Sequence, residues 1–409
     1  MSLSVSLADP AFLDDPVGGY HRLRDQAPLV RIGMPGGPPV WLVTRYEEVK
    51  RALSDPRLVV DHGNVPGHQG LSVVEQIMQA YGMPSEFWDY AANMTFMDGA
   101  DHNRLRRLIV PVFARRRITE MTPRVEQISR RLLDRLAAAG GGDLIDDYSS
   151  PLTSTVICDL IGIDEADQPA MRRWMHEYTE GRYAEAAFQM VDYTKSLIAR
   201  RRAEPAGDMV SMLLHASTTT DDRLSEVEIV AMTLLMVNNG HLSTSHFIPN
   251  ALLVLFDNPD QLARLRNEPA LLPRALHELM RVTSPAQIAT PRYATEDLEI
   301  GGVLVRRGEA VTGSLMSANF DPRVFPDPLR VDITRDPGRL ENHIAFGAGP
   351  HYCTGAALGR LEGETALRHL LLENLSPELA VGREQLQWED VALAVRLLKA
   401  LPVHLSHAV

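Results

Sequence analysis

Cysteine and lysine are scarce in this chain, and no long apolar run occurs. Two cysteines in 409 residues, Cys158 and Cys353, cannot build a disulfide framework, which fits a reducing compartment. Nothing approaches the ~18 consecutive apolar residues of a membrane span; the longest clean run is Ala251 to Phe256. The opening MSLSVSLADPAFLDDP lacks the basic and apolar regions of a secretion signal, so a cytoplasmic protein is expected, with no membrane partner. Positive charge is also short. With 41 Lys plus Arg against 53 Asp plus Glu the net charge is −12, which argues against nucleic acid as a partner. Only Lys50, Lys195 and Lys399 are lysines, a bias common in bacteria of high genomic GC content. At 45% hydrophobic and 23% charged residues the composition is that of an ordinary globular protein, not a fibre or a disordered chain.

Residues 1–409 read as one large domain, mainly α with minor β. Leu29 to Thr44 carries two β-rich arms around Pro35-Gly36-Gly37, a hairpin pattern. From Asp101 to about Arg202 the periodicity is helical. Ser225 and Glu228 form a capping box that opens a segment running to Phe256, apolar on nearly every side, as in a helix buried through the middle of a protein. As one helix it would span ~46 Å, with a kink expected at Pro249. Short strands follow at Leu298 to Val305 and Ala310 to Leu315, then a Pro-rich meander and a helix after Cys353.

The strongest chemical signal is Phe346 to Gly355, FGAGPHYCTG. Cys158, in TVICDLIG, reads as a buried small hydrophobe. Cys353 is different, because Gly347, Gly349 and Gly355 surround it and let backbone approach a flat partner. A thiol just ahead of a helix is favoured as thiolate by the unpaired N–H groups there. A phosphate loop is excluded by spacing, since G-x-G-x-x-G would need glycine where Tyr352 stands and no G-K-[ST] follows. A thiolate in a glycine-padded loop suits a metal.

F-G-x-G-x-H-x-C-x-G resembles the haem-binding loop of the cytochrome P450 family. Glu278-Leu279-Met280-Arg281 resembles the family's E-x-x-R helix, and Asp327-Pro328-Leu329-Arg330 its meander, whose arginine closes a triad with Glu278 and Arg281. Asp101 to Arg107, DHNRLRR, resembles the helix that supplies haem-propionate donors. The resemblance implies the P450 fold, a single triangular domain with a long central helix. It implies haem b (iron protoporphyrin IX) on Cys353 as axial iron ligand, flanked by Phe346 and Gly347. His102, Arg106, Arg292 and His351 would be the propionate donors, with Glu278, Arg281 and Arg330 structural beneath the haem. The implied partners are O2, a small-molecule substrate, and a ferredoxin with its NAD(P)H-dependent reductase, the enzyme itself being a monomer. An arginine cluster, Arg104, Arg107, Arg115, Arg116 and Arg117, would attract an acidic electron-transfer protein.

Where the family's central helix carries a small residue, Gly, any residue, an acid and Thr, this chain reads Asn239-Gly240-His241-Leu242-Ser243. Leu242 stands where the proton-relaying acid should be. Asn239, Gly240 and Ser243 are the expected catalytic positions, with a distorted turn at Gly240 and with His246 on the same helix face. The stretch GHLSTSHF is similar to P450s that oxidise or couple cyclodipeptides, which implies an aromatic, tryptophan-containing diketopiperazine as substrate. The alternative is hydroxylation or epoxidation of a macrolide, terpenoid or other natural product. By position, Gln69, Glu75, Asn238, Leu242, Ser284, Gln287 and Ile288 are candidate substrate contacts, and Val391 to Val395 a last wall.

Overall fold

The computed structural model describes residues 5–7, 9–33, 38–179, 181–219, 223–338, 341–373, 375–391 and 395–407. The β-branched and apolar residues of LVRIG and VWLV make a two-stranded ribbon, and the sheet grows around it. Its strands are β1 (Val5–Ser6), β2 (Leu29–Gly33), β3 (Val40–Val43), β4 (Leu58–Val59), β5 (Arg292–Ala294) and β6 (Ala310–Gly313), in the order β1-β2-β3-β6-β5-β4. The expected hairpin is β2 against β3, antiparallel, with Leu29 opposite Val43. Its tip, residues 34–37, lies outside the described residues. Leu298–Ile300 and Val303–Val305 form a second small hairpin.

Leu375–Leu379, Pro402–His407 and Gly141–Asp143 form a three-stranded sheet, Trp388–Val391 pairs with Val395–Leu398, and most of the remaining structure is helical. The helices that position the site are α1 (Gly99–Ile109), α2 (Ser150–Ile161), α3 (Gln168–Thr179), α4 (Tyr183–Ala203), α5 (Glu226–Asn239), α6 (Leu242–Asp257), α7 (Leu272–Thr283) and α8 (Ala356–Leu371). The Ser225–Glu228 capping box starts α5 as the sequence predicts. The predicted single central helix is, however, two. α5 ends at Asn239, Gly240 donates its N–H to the Met236 carbonyl at 2.9 Å, and α6 begins at Leu242. Helix α6 runs on through Pro249, and the break in the central segment sits at Gly240–His241. Glycine fits there because an added Cβ would lie 2.3 Å from the Met236 carbonyl and 2.7 Å from Ile157 of α2. α5 and α6 are buried on almost all sides and run through the largest apolar core, which also takes residues of α7 and α8.

Candidate functional site

Beside the helix break lies a cavity of about 420 Å3. Its floor is the cysteine loop. Gly347 and Gly349 have φ of 73° and 72°, and a Cβ on Gly349 would strike the Leu53 carbonyl at 2.3 Å. These turns let Cys353 donate its N–H to the Phe346 carbonyl at 3.0 Å while Gly347 donates to Ile344 at 2.9 Å. The Cys353 sulfur lies deep in the protein yet is bared to the cavity. Burial raises its pKa, while the N–H groups of Gly355 and Ala356 and the charges of Arg106 and Arg360 pull the other way. Cys158, by contrast, is sealed in the core and pushed up to about 12.

Four nitrogenous side chains reach the same cavity: His102, Arg106, Arg292 and His351. His102 and Arg106 come from one face of α1, by i, i+4 spacing. Arg292 opens β5, and His351 precedes Cys353 by two. The imidazoles of His102 and His351 pack 4.2 Å apart. Arg106 Nη2 donates to the Tyr352 carbonyl at 2.7 Å, and Arg292 Nη1 to the Leu53 carbonyl at 2.7 Å. Burial lowers Arg292 to about 10 and His351 to about 3, so the positive charge here rests on the two guanidiniums. Arg292 Nε is buried without a partner. A bare thiol, two guanidiniums, and a lining in which Phe113, Leu235, Met236, Phe247 and Leu358 supply apolar faces fit a flat, metal-bearing group with acidic substituents.

A family model described as Cytochrome P450 matches residues 164–388. The chain belongs to the cytochrome P450 family. It is 41% identical over 400 residues to "Cytochrome P450 107B1" of Saccharopolyspora erythraea, covering 97% of this chain and 96% of that one. It is 37% identical over 416 residues to the "6-deoxyerythronolide B hydroxylase" of the same organism, covering 99% and 100%. Among solved structures, the tirandamycin C-bound P450 monooxygenase TamI superposes with a TM-score of 0.84 at 36% identity, covering 98% of this chain and 99% of that one. Membership implies a haem-thiolate cofactor, a fold type matching the one described, and an oxygenase activity. None of the described helices is long and apolar enough to cross a membrane.

Asn239, Gly240 and Ser243 of this P450 line the cavity, as do Phe346, Gly347 and Ile288. The other expected positions fall elsewhere. Arg330 does not reach Glu278; it lies exposed on the meander. The third member of the triad is Arg335, whose Nε donates to Glu278 Oε2 at 3.1 Å, while Arg281 donates from Nε and Nη2 at 2.8 and 2.7 Å. The meander turns at Asp327, φ 49°, and the Arg330 carbonyl itself accepts from Arg335 at 3.3 Å, so Arg330 braces the triad through backbone only. Ser284 is sealed off, donating to the Arg281 carbonyl and accepting from Asn319 Nδ2 at 2.7 Å. Gln287 is buried away from the cavity, with Oε1 accepting from the Tyr20 hydroxyl at 3.3 Å. Glu75 is taken up by the cap of its own helix, receiving the Ser72 N–H at 2.7 Å, and Gln69 is exposed on a loop. Asn238, Leu242 and His246 line a second cavity. Of the proposed last wall, residues 392–394 lie outside those described. In the arginine cluster, Arg104 pairs with Glu228 and Arg116 with Glu120, which blunts its charge.

Two residues were missed. Thr244 lines the cavity beside Ser243, and Glu362 of α8 is wholly buried behind it. Burial pushes the Glu362 carboxyl well above the usual range, which favours its protonated form, with the Thr244 hydroxyl opposing. Neither carboxyl oxygen makes a hydrogen bond of normal geometry. The signal was an acid four residues from both Leu358 and Ala366, on the core face of α8.

Proposed function

We propose that this P450 is a monooxygenase of bacterial secondary metabolism that hydroxylates or epoxidises a macrolide or related polyketide. The observation that carries it is the Cys353 sulfur bared to an apolar cavity rimmed by Arg106 and Arg292. Relatives that hydroxylate or epoxidise large natural products support the substrate class, and they favour it over the coupling of a cyclodipeptide.

When bound through Cys353 Sγ, haem b supplies reductive activation of O2, and the thiolate favours O–O cleavage. The chain's own residues do the rest. Arg106 and Arg292 would hold the two propionates, with His102 and His351 as further hydrogen-bond partners, and Phe346 and Gly347 would help hold the ring. Leu235, Met236 and Leu358 keep bulk water out. With Leu242 unable to carry a proton, Glu362 holds one on its carboxyl, and the Thr244 hydroxyl lies between it and the cavity that Ser243 also lines. Asn239 and Ser243 orient a water there. Electrons come from a separate ferredoxin, reduced by its NAD(P)H-dependent reductase, in a small transient encounter with a monomeric cytoplasmic enzyme.

The test is turnover with ferredoxin, reductase and NAD(P)H under isotopically labelled O2, offering macrolactones and tryptophan-containing cyclodipeptides. One labelled oxygen in a macrolactone product is the expected result. Loss of two hydrogens from a cyclodipeptide, with no label gained, would overturn it in favour of coupling.

A further inference from the structure

Among the described residues, His277, Glu341 and His343 bring one donor atom each within 4.8 Å of one another, and none of the three lines the haem cavity. They lie behind the cysteine loop. His277 is on α7, next to Glu278 of the buried triad, and Glu341 and His343 lead the chain toward Phe346. The His343 and Phe346 rings are 6.0 Å apart, and the Arg360 guanidinium stands 5.2 Å over Phe346.

The spacing fits a small cation. His277 Nδ1 and His343 Nε2 are 3.2 Å apart, and His343 Nε2 is 3.8 Å from Glu341 Oε2. Tetrahedral bonds of ~2.0–2.1 Å place neighbouring donors ~3.4 Å apart, between those two distances. Burial lowers both imidazoles, His343 to about 3, so the rings are neutral and keep lone pairs for a metal. The Ala345 N–H reaches His343 Nδ1 at 3.3 Å, so in the free protein His343 Nε2 carries the ring proton and donates it to His277 Nδ1. A cation takes the place of that shared proton. The His343 proton then moves to Nδ1, and only the long Ala345 contact is lost.

Glu341 divides its two oxygens. Oε1 accepts from Arg360, while Oε2 faces the imidazoles with the Tyr352 hydroxyl 3.5 Å away. Ligating carboxylates are commonly held by such outer partners. Arg360 also repels a cation, which makes the site weaker than a bare set of two histidines and a carboxylate. The Glu341 side chain is 19% exposed and gives an ion a way in. Two nitrogens and one oxygen select a zinc-type cation over magnesium or calcium, which take oxygen ligands.

We propose that His277, Glu341 and His343 bind one zinc-type divalent cation, distinct from the haem iron, with water at its fourth position. The cation ties α7 to the chain entering the cysteine loop, and so braces that loop from outside the cavity.

The test uses the untagged, haem-loaded protein, stripped of metals with a chelator and dialysed against buffered free Zn2+, with bound zinc counted by atomic emission. One zinc per chain should be retained, and the melting midpoint should rise with free Zn2+. His277→Gln and Glu341→Gln, on different elements, should each weaken binding at least tenfold and remove the rise in melting. Zinc-edge X-ray absorption on the wild-type complex should show two imidazoles among nitrogen and oxygen ligands. That measurement needs no variant, so a variant that fails to load haem leaves the test intact. Wild-type protein that retains no zinc would overturn the proposal. So would undiminished binding in both variants, or an absorption spectrum with fewer than two imidazoles, either of which assigns the zinc to histidines elsewhere on the chain.

Discussion

Arg335→Met removes from Glu278 one of the two cations that neutralise it. Glu278 and Arg281 have side chains 1% exposed, and Glu278 also accepts the Asp332 N–H at 3.0 Å. Arg335 adds its Nε at 3.1 Å and ties the Pro326 carbonyl at 2.9 Å through Nη1. Hydrogen bonds to charged groups contribute ~1.5–3 kcal/mol each, less when an ordered arginine is released, so the loss should be ~2–4 kcal/mol. At ~2 cal/mol/K per residue, a chain of this length unfolds with an entropy of ~0.9 kcal/mol/K, which converts the loss to a midpoint ~2–5 °C lower. Arg330→Met changes an exposed side chain and should stay within ~0.5 kcal/mol, under ~1 °C. Far-UV circular dichroism melts of the two variants side by side, with haem content measured on each, decide the matter. Equal shifts, or a larger one at Arg330, would refute the assignment of Arg335 as the closing arginine.

Glu362→Gln keeps the shape of the buried acid and removes its proton; product formation should fall ~100-fold with little change in melting, and an unchanged rate would exclude Glu362 as proton holder. Gly240→Ala should destabilise by ~1–3 kcal/mol despite the better helix propensity of alanine, because its Cβ meets the Met236 carbonyl and Ile157; a stabilised variant by urea denaturation would refute the close-contact account. His241, His246 and His343 are lowered to about 4, about 4 and about 3 by burial. The unfolded chain protonates these rings near pH 6.5 and the folded one does not, so their stabilisation is complete above that pH and is lost as pH falls toward 4. The loss is ~3 kcal/mol for each of His241 and His246. Urea midpoints between pH 7 and 4.5 should drop steeply, and a flat profile would show that the rings are not held neutral.

The cysteine loop, the meeting of His102 and Arg106 at one cavity and the capped start of the central helix were legible because each is local: glycine spacing, an i, i+4 pair, an S-x-x-E box. Arg335 was not, since Arg330 and Arg335 are both meander arginines and only the turn at Asp327 decides which one points inward. Glu75, Ser284 and Gln287 looked like pocket residues by position, and the fold assigns them to a cap, a hydroxyl pair with Asn319, and the Tyr20 hydroxyl. Those partners are distant in sequence for Ser284 and Gln287, so no spacing rule finds them. The helix break was half visible: Gly240 signalled a weak turn, whereas the steric demand of Ile157 that fixes glycine there belongs to another helix. Glu362 was hidden in the apolar face of α8 because a sequence does not say that a lone acid on a core face has no cation beside it.

The interruption between α5 and α6 brings two opposite half-helix poles together inside the protein. The carbonyl end of α5 is partly quenched, Met236 by the Gly240 N–H and Val237 by the His241 ring. The amide end of α6 has no side-chain cap, and Ser245 is the first residue whose N–H turns back, to the His241 carbonyl at 2.9 Å. The N–H groups of Leu242, Ser243 and Thr244 therefore have no partner within α6, and they gather about half a positive charge next to the haem cavity. An acid at position 242 would be stabilised by that field by ~0.3–1 kcal/mol. Leucine there is thus not imposed by the electrostatics of the fold.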